Sequence, residues 1–186
     1  EYLAAETPAE AVLCALAGTA GSPAGGASYV AAVERMDSGG SRFTVLRDGE
    51  AVTSVELRVP GEHNVLNALC ALAVLERAGV PLAEAAPCLG GFSGAARRFQ
   101  EVGRHSGVVV VDDYAHHPSE LVATIRAARL GDHHRVIAVF QPHLYSRTRY
   151  LQREFGRALT LADEAVVTDI FASREEPEPG VTGKLV

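Results

Sequence analysis

The chain has three cysteines in 186 residues, Cys14, Cys70 and Cys88, lying far apart and without a CxxC spacing. An odd and scattered set argues against a disulfide framework and against a zinc site, so reduced thiols buried in the structure are expected, two of them on helices. Clustered cations are missing as well. With no Lys/Arg block, a formal net charge of -6 and a pI of about 5.6, the sequence argues against nucleic acid as a partner. No apolar run approaches the roughly 20 residues that a bilayer-spanning helix needs, so no membrane partner is expected. The Ala-rich stretch Ala11–Ala20 follows Glu1, Glu6 and Glu10 where a secretory leader would carry basic residues, which points to the cytoplasm. There is no internal repeat. The chain starts at Glu1 and not at Met, which fits a piece of a longer protein.

What is present is a globular composition, 47% hydrophobic and 22% charged, enough for one sizeable core or two small ones. Residues 1–28 hold helix-like Ala/Leu sequence and then the flexible Gly21–Gly26, and they remain unassigned. From Tyr29 the pattern is that of strands: Phe43–Leu46, a turn at Asp48-Gly49, then Val55, Leu57 and Val59 alternating with Glu56 and Arg58, a β-hairpin. Apolar residues at helical spacing follow, Val65, Leu66, Leu69, Leu72, Ala73 and Leu75, and Gly79 with Pro81 ends that helix. A short helix over Pro81–Leu89 leads to the glycine cluster Gly90–Gly94, the expected domain boundary and hinge. Beyond it, strand Val108–Val111, helix Ser119–Leu130, strand Val136–Phe140, helix Thr148–Leu161 and strand Ala165–Thr168 alternate, as parallel right-handed βαβ units do. The class is α/β.

Chemistry gathers at two strand ends. The run Val108–Val111 reads as a buried strand that delivers Asp112-Asp113-Tyr114-Ala115-His116-His117-Pro118 to its carboxyl end, where open α/β sheets place ligands. The second run breaks off likewise into Gln141-Pro142-His143-Leu144-Tyr145-Ser146-Arg147-Thr148, and two neighbouring strands would aim both ends at one crevice. Asp112 and Asp113 are successive, so their side chains are expected to diverge and only one to face a ligand. Adjacent histidines diverge too, which disfavours a metal site built from Tyr114, His116 and His117; a helix cap before Pro118 is the plain alternative for His117. Asn64 and Asn67, three apart near a helix start, share a face on which carboxamides can pair with a purine edge, although Asn64 could equally cap that helix.

Taken in order, His63-Asn64-Val65-Leu66-Asn67, Arg97-Arg98-Phe99, Asp112–Pro118 and Phe140–Thr148 resemble the Mur ligase family of peptidoglycan synthesis, from about Val33 to the end. The resemblance implies ATP-dependent amide-bond formation through an acyl phosphate, with ATP and Mg2+ as cofactors and the metal ligands mainly outside these residues. It implies that residues 29–93 end an ATP-binding central domain and that 94–186 form an incomplete carboxyl-terminal domain with a Rossmann-like, mostly parallel sheet and flanking helices. The family's phosphate loop, of the form GxxGKT, is absent from the sequence, as are the UDP-binding and upstream central regions, which would be this chain's partners. Alone it is expected to be inactive.

By the same resemblance, Asn64 and Asn67 with His63 contact the adenine, Arg98 with Arg97 behind it reaches ATP oxygens across the hinge, and Asp113 binds the ribose. His116, slightly preferred, or His117 orients the amino acid or the acyl phosphate. Tyr114, His143, Tyr145 and Arg147 hold the substrate, Arg147 suiting a carboxylate. Within the family the pairing of the third and fourth segments is most like the ligases that join L-alanine to UDP-N-acetylmuramate. The alternatives are the branch that recycles murein tripeptide and a non-catalytic nucleotide-binding module without the phosphate loop. Leu144 stands where the family often carries Arg, so one expected cation is missing.

Overall fold

The computed structural model describes residues 11–18 and 27–186, and the chain divides into two compact units, Glu1–Ser93 and Gly94–Val186. In the first, strands β1 (Cys14–Leu16), β2 (Tyr29–Asp37), β3 (Gly40–Arg47) and β4 (Glu50–Leu57) form one sheet in that order. β2, β3 and β4 run antiparallel, and β1 lies parallel to β2. The expected hairpin is therefore the edge of a larger sheet. The helix-like Ala/Leu segment is corrected at 14–16, where it is a strand: Ala15 and Leu16 are buried against β2, and that pairing overrides the helix propensity of alanine. The rest of that reading, including Gly21–Gly26, lies outside the described residues.

The β2–β3 turn depends on glycine. Gly40 has φ 138°, and a Cβ there would stand 1.9 Å from the Leu57 carbonyl oxygen. Helices α1 (Glu62–Arg77) and α2 (Leu82–Leu89) cover one face of the sheet. α1 starts at Gly61 with Glu62 in its first turn and ends with Arg77 in its last, both complementing the helix dipole. Gly79 at φ 90° stops it, and the Val80 N–H closes back on the Leu75 carbonyl. Phe43, Val45, Val65, Leu69 and Leu72 are fully buried between sheet and helix. Cys70 and Cys88 sit on these helices as expected but are exposed, and Cys14 is only half-buried on β1, so burial does not account for the thiols.

The second unit holds β5 (Gln100–His105), β6 (Val108–Asp112), α3 (Pro118–Ala128), β7 (Ile137–Phe140), α4 (Tyr145–Leu159) and β8 (Glu164–Val167). β7, α4 and β8 make a parallel crossover unit. β6 instead pairs antiparallel with β5, a strand that the sequence pattern did not reveal. Among the described residues no ladder joins β6 to β7, so the expectation of two neighbouring parallel strands is corrected. Burial is corrected with it: Val108 and Val110 are 61% and 52% exposed, because the face they share is not covered by the packed core of this unit. The core of this unit lies elsewhere, where α3 and α4 pack Leu121, Ile125, Phe155 and Leu159 against Phe140. Phe140 and Phe155 meet with ring centroids 5.0 Å apart. None of the described helices is long and apolar enough to cross a membrane.

Candidate active site

In the first unit, His63, Asn64 and Asn67 lie in the first turns of α1, Asn67 exposed and the other two half-buried. Asn64 does not accept a cap bond. Gly61 is the N-cap, and the Asn64 side-chain N–H donates to the Pro60 carbonyl at 2.7 Å. That bond fixes the carboxamide and leaves its oxygen as an acceptor.

In the second unit the remaining sequence segments meet. Arg97 and Phe99 both have positive φ, 57° and 49°, an uncommon backbone for side chains of that size. Asp113 holds this turn. One carboxylate oxygen accepts the Phe99 N–H at 2.8 Å and the other the Ala115 N–H at 2.7 Å. Asp112 diverges from it, as alternation requires, and takes the Arg97 guanidinium at 3.3 Å. The Arg97 carbonyl closes the turn by accepting the Tyr114 N–H at 2.8 Å.

Tyr114 links the segments. Its ring carries the guanidinium of Arg97 4.8 Å from the centroid and that of Arg98 at 6.0 Å, and it meets the His116 ring edge-on at 5.1 Å. The His116 ring lies 6.0 Å from that of His143, which stacks on Phe171 at 5.6 Å. Arg147 donates to the His116 carbonyl at 3.3 Å and stands 3.4 Å from His143 Nδ1. Thus the loops after β6 and β7 converge even though their strands are not paired. Burial keeps His143 below the usual imidazole range, Arg147, His116 and Arg174 push the same way, and Glu175 opposes them. The shift favours the neutral ring of His143, whose Nδ1 faces the Arg147 guanidinium as acceptor and whose Nε2 is then the donor.

His117 takes the plain alternative. It is the N-cap of α3, its ring 2.9 Å from the Ser119 hydroxyl and accepting the Ser119 N–H, with Pro118 in the first turn and Glu120 completing a capping box. Tyr145 opens α4. Leu144, its N-cap, is buried with φ 73°. Its N–H donates to the Phe171 carbonyl, and its own carbonyl receives the Thr148 N–H and hydroxyl. Sequence reasoning missed Glu120, Phe171, Arg174 and Glu175. Glu175 receives both the N–H and the hydroxyl of Ser146 and so ties the loop after β8 to the start of α4; only the Glu three residues after His117 left a trace, as a capping pattern.

Residues 97–185 match the Mur ligase, glutamate ligase domain family. The chain is 51% identical over 80% of its length to the UDP-N-acetylmuramate--L-alanine ligase of Acidothermus cellulolyticus, of which it covers 31%. To the ligase of the same name from Chlorobaculum tepidum it is 54% identical, again over 80% of the chain and 32% of the relative. The chain belongs to the Mur ligase family. Its fold agrees with the crystal structure of UDP-N-acetylmuramate-alanine ligase from Thermotoga maritima, with a TM-score of 0.66 and 32% identity over 79% of this chain and 33% of that one. A murein peptide ligase from Psychrobacter arcticus gives a TM-score of 0.57 and 28% identity over 84% of this chain and 32% of that one. This Mur ligase chain spans about a third of the length of the curated relatives it matches. Among its described residues no group of three or more His, Cys, Asp or Glu could hold a metal ion. The described residues therefore offer no Mg2+ ligand set of their own, and the expectation placed those ligands mainly outside this chain.

Proposed function

We propose that the chain supplies nucleotide and amino-acid contacts to an ATP-dependent ligase that joins L-alanine to UDP-N-acetylmuramate in the cytoplasm. In that reaction the muramoyl carboxylate attacks the γ-phosphorus of ATP, releasing ADP and forming an acyl phosphate. The alanine amine then attacks the acyl carbon, and the tetrahedral intermediate expels phosphate and loses the amine proton. Arg147 and neutral His143 take the alanine carboxylate, a pairing that fixes the direction of the amine. Arg98, whose guanidinium is 53% exposed, offsets phosphate charge. The Asn64 carboxamide oxygen and Asn67 face the purine edge, with His63 beside them. Asp113 contributes to the ribose only through lone pairs left over from its two backbone bonds. With the His117 ring engaged by Ser119, His116 is the imidazole assigned to the reacting groups, with Tyr114 beside it and Tyr145 at the start of α4.

The observation that carries this reading is Arg147 set between the His116 carbonyl and the His143 ring, with the His116 ring edge-on to Tyr114, which Arg98 approaches. The test is a chimera in which this chain replaces the matching third of the Acidothermus cellulolyticus ligase. ADP release that requires both UDP-N-acetylmuramate and L-alanine is the expected result. Preference for murein tripeptide in competition would move the chain to the recycling branch, and no turnover with either would favour a non-catalytic nucleotide-binding module.

A further inference from the structure

Glu120 lies in the first turn of α3, and its two carboxylate oxygens point at different motifs. Oε2 accepts the N–H of His116 at 2.8 Å and that of His117 at 3.1 Å, and it stands 3.5 Å from His116 Nδ1. Oε1 lies 3.7 Å from the Arg98 guanidinium. The carboxylate stays charged well into acid: burial pushes its pKa up, but the His116 N–H, the His116 ring, the His117 N–H and Arg98 together outweigh that and hold it below the usual range.

The same His116 nitrogen is 2.7 Å from the Tyr114 carbonyl oxygen. A carbonyl only accepts, so Nδ1 must carry a hydrogen, and in the neutral ring the lone pair is then on Nε2. The Tyr114 carbonyl takes that N–H, and the Glu120 carboxylate stands 3.5 Å from the same nitrogen, close enough for its charge to favour the hydrogen on Nδ1. In catalytic and metal sites an acceptor and a carboxylate at one ring nitrogen favour that tautomer and strengthen the opposite nitrogen as a base.

We propose that Glu120 is a positioning residue of this site: it holds His116 as the Nδ1–H tautomer with Nε2 presented for a proton, and it tethers Arg98 through its other oxygen. The inference deepens the ligase reading and rests on it for the identity of the proton donor, the alanine ammonium or the attacking amine. It makes one residue the joint between a phosphate-facing cation and an amine-facing base. A purely structural Glu would serve only the helix cap.

Glu120→Gln separates the two roles, because Gln at this helix position still accepts the backbone N–H groups of a capping box but carries no charge. In the chimera, kcat is expected to fall about tenfold or more through His116, general-base contributions being about 10²–10⁴ in full, and KM for ATP to rise through Arg98. In a His116→Gln background the same change should leave kcat where it was, the non-additivity expected of residues acting as a unit. Unchanged kcat and KM in E120Q, or an equal further loss of kcat in the double variant, would overturn the proposal. A second measurement needs no turnover. The ring nitrogens of His116 in this chain, followed by 15N NMR at a pH where the ring is neutral, should show a protonated Nδ1 and a bare Nε2, and a protonated Nε2 would overturn the assignment. A chimera that turns nothing over, with the Nδ1–H tautomer found, rejects the ligase reading and leaves the positioning of His116 supported.

Discussion

Replacing Asp113 with Ala removes both acceptors that hold the Arg97–Phe99 turn to the end of β6. A hydrogen bond to a charged group contributes about 1.5–3 kcal/mol, so two give a gross loss of about 3–6 kcal/mol. Two effects reduce it. The site is part-buried, so water replaces some of what is lost, and the positive-φ backbones of Arg97 and Phe99 can relax, returning about 1 kcal/mol each. A net cost of about 2 kcal/mol is expected, confined to the second unit, whereas a pure ribose ligand would cost no stability. Amide hydrogen exchange reads the effect directly: the Phe99 and Ala115 N–H groups should lose protection in Asp113→Ala, with a matching shift of the urea midpoint by circular dichroism. Asp113→Asn keeps one acceptor and should lose protection at one of the two amides. If both amides of the Ala variant stay protected and the midpoint does not move, the carboxylate does not hold the turn, and Asp113 returns to ligand binding alone.

Because burial depresses the folded-state pKa of His143, the unfolded chain protonates first as pH falls, so stability present above the unfolded value of 6.5 is lost on acidification toward the folded value; a ring titration by NMR with its midpoint at or above 6.5 would contradict this. Arg174→Ala removes a cation that lowers the same pKa, and the His143 midpoint should move upward, an unmoved midpoint refuting the contact. In the first unit Gly40→Ala forces a Cβ to 1.9 Å from the Leu57 oxygen at φ 138° and should destabilise by roughly 3 kcal/mol or more, read as a lowered melting temperature.

The α/β alternation beyond Gly94 was legible because helix and strand periods differ and because Pro118 marks a helix start, as Gly79 and Pro81 mark a helix end in the first unit. The site residues were legible as types at strand ends. Their pairing was not. Nothing in Val108–Val111 says which strand will lie beside it, since an all-apolar run fits either neighbour, and β5, whose residues Gln100–His105 are exposed throughout, carries no apolar alternation to reveal it. β1 was hidden for the opposite reason, as a three-residue strand of helix-favouring letters decided by contact with β2. The division of labour between His116 and His117 was legible only in part: Pro118 marked His117 as a possible cap, and the turn before it shows that the His117 ring is the one engaged by Ser119.

Position 144 shows how a missing cation can be supplied from elsewhere. The Leu144 side chain is buried and its main chain is tied to Phe171 and Thr148, so here the residue serves the turn and the start of α4 and not the ligand side. Apolar character suits that inward position, and a cation placed there would have to leave the core or be paired within it. The charge felt by His143 comes instead from Arg147 on α4 and Arg174 on the loop after β8, the loop that also brings Phe171 onto the His143 ring and Glu175 onto Ser146. In the proposed amino-acid site a carboxylate entering beside His143 would therefore meet two guanidiniums held by different segments, and the loop of Phe171–Glu175 would belong to that site without having carried any motif of its own.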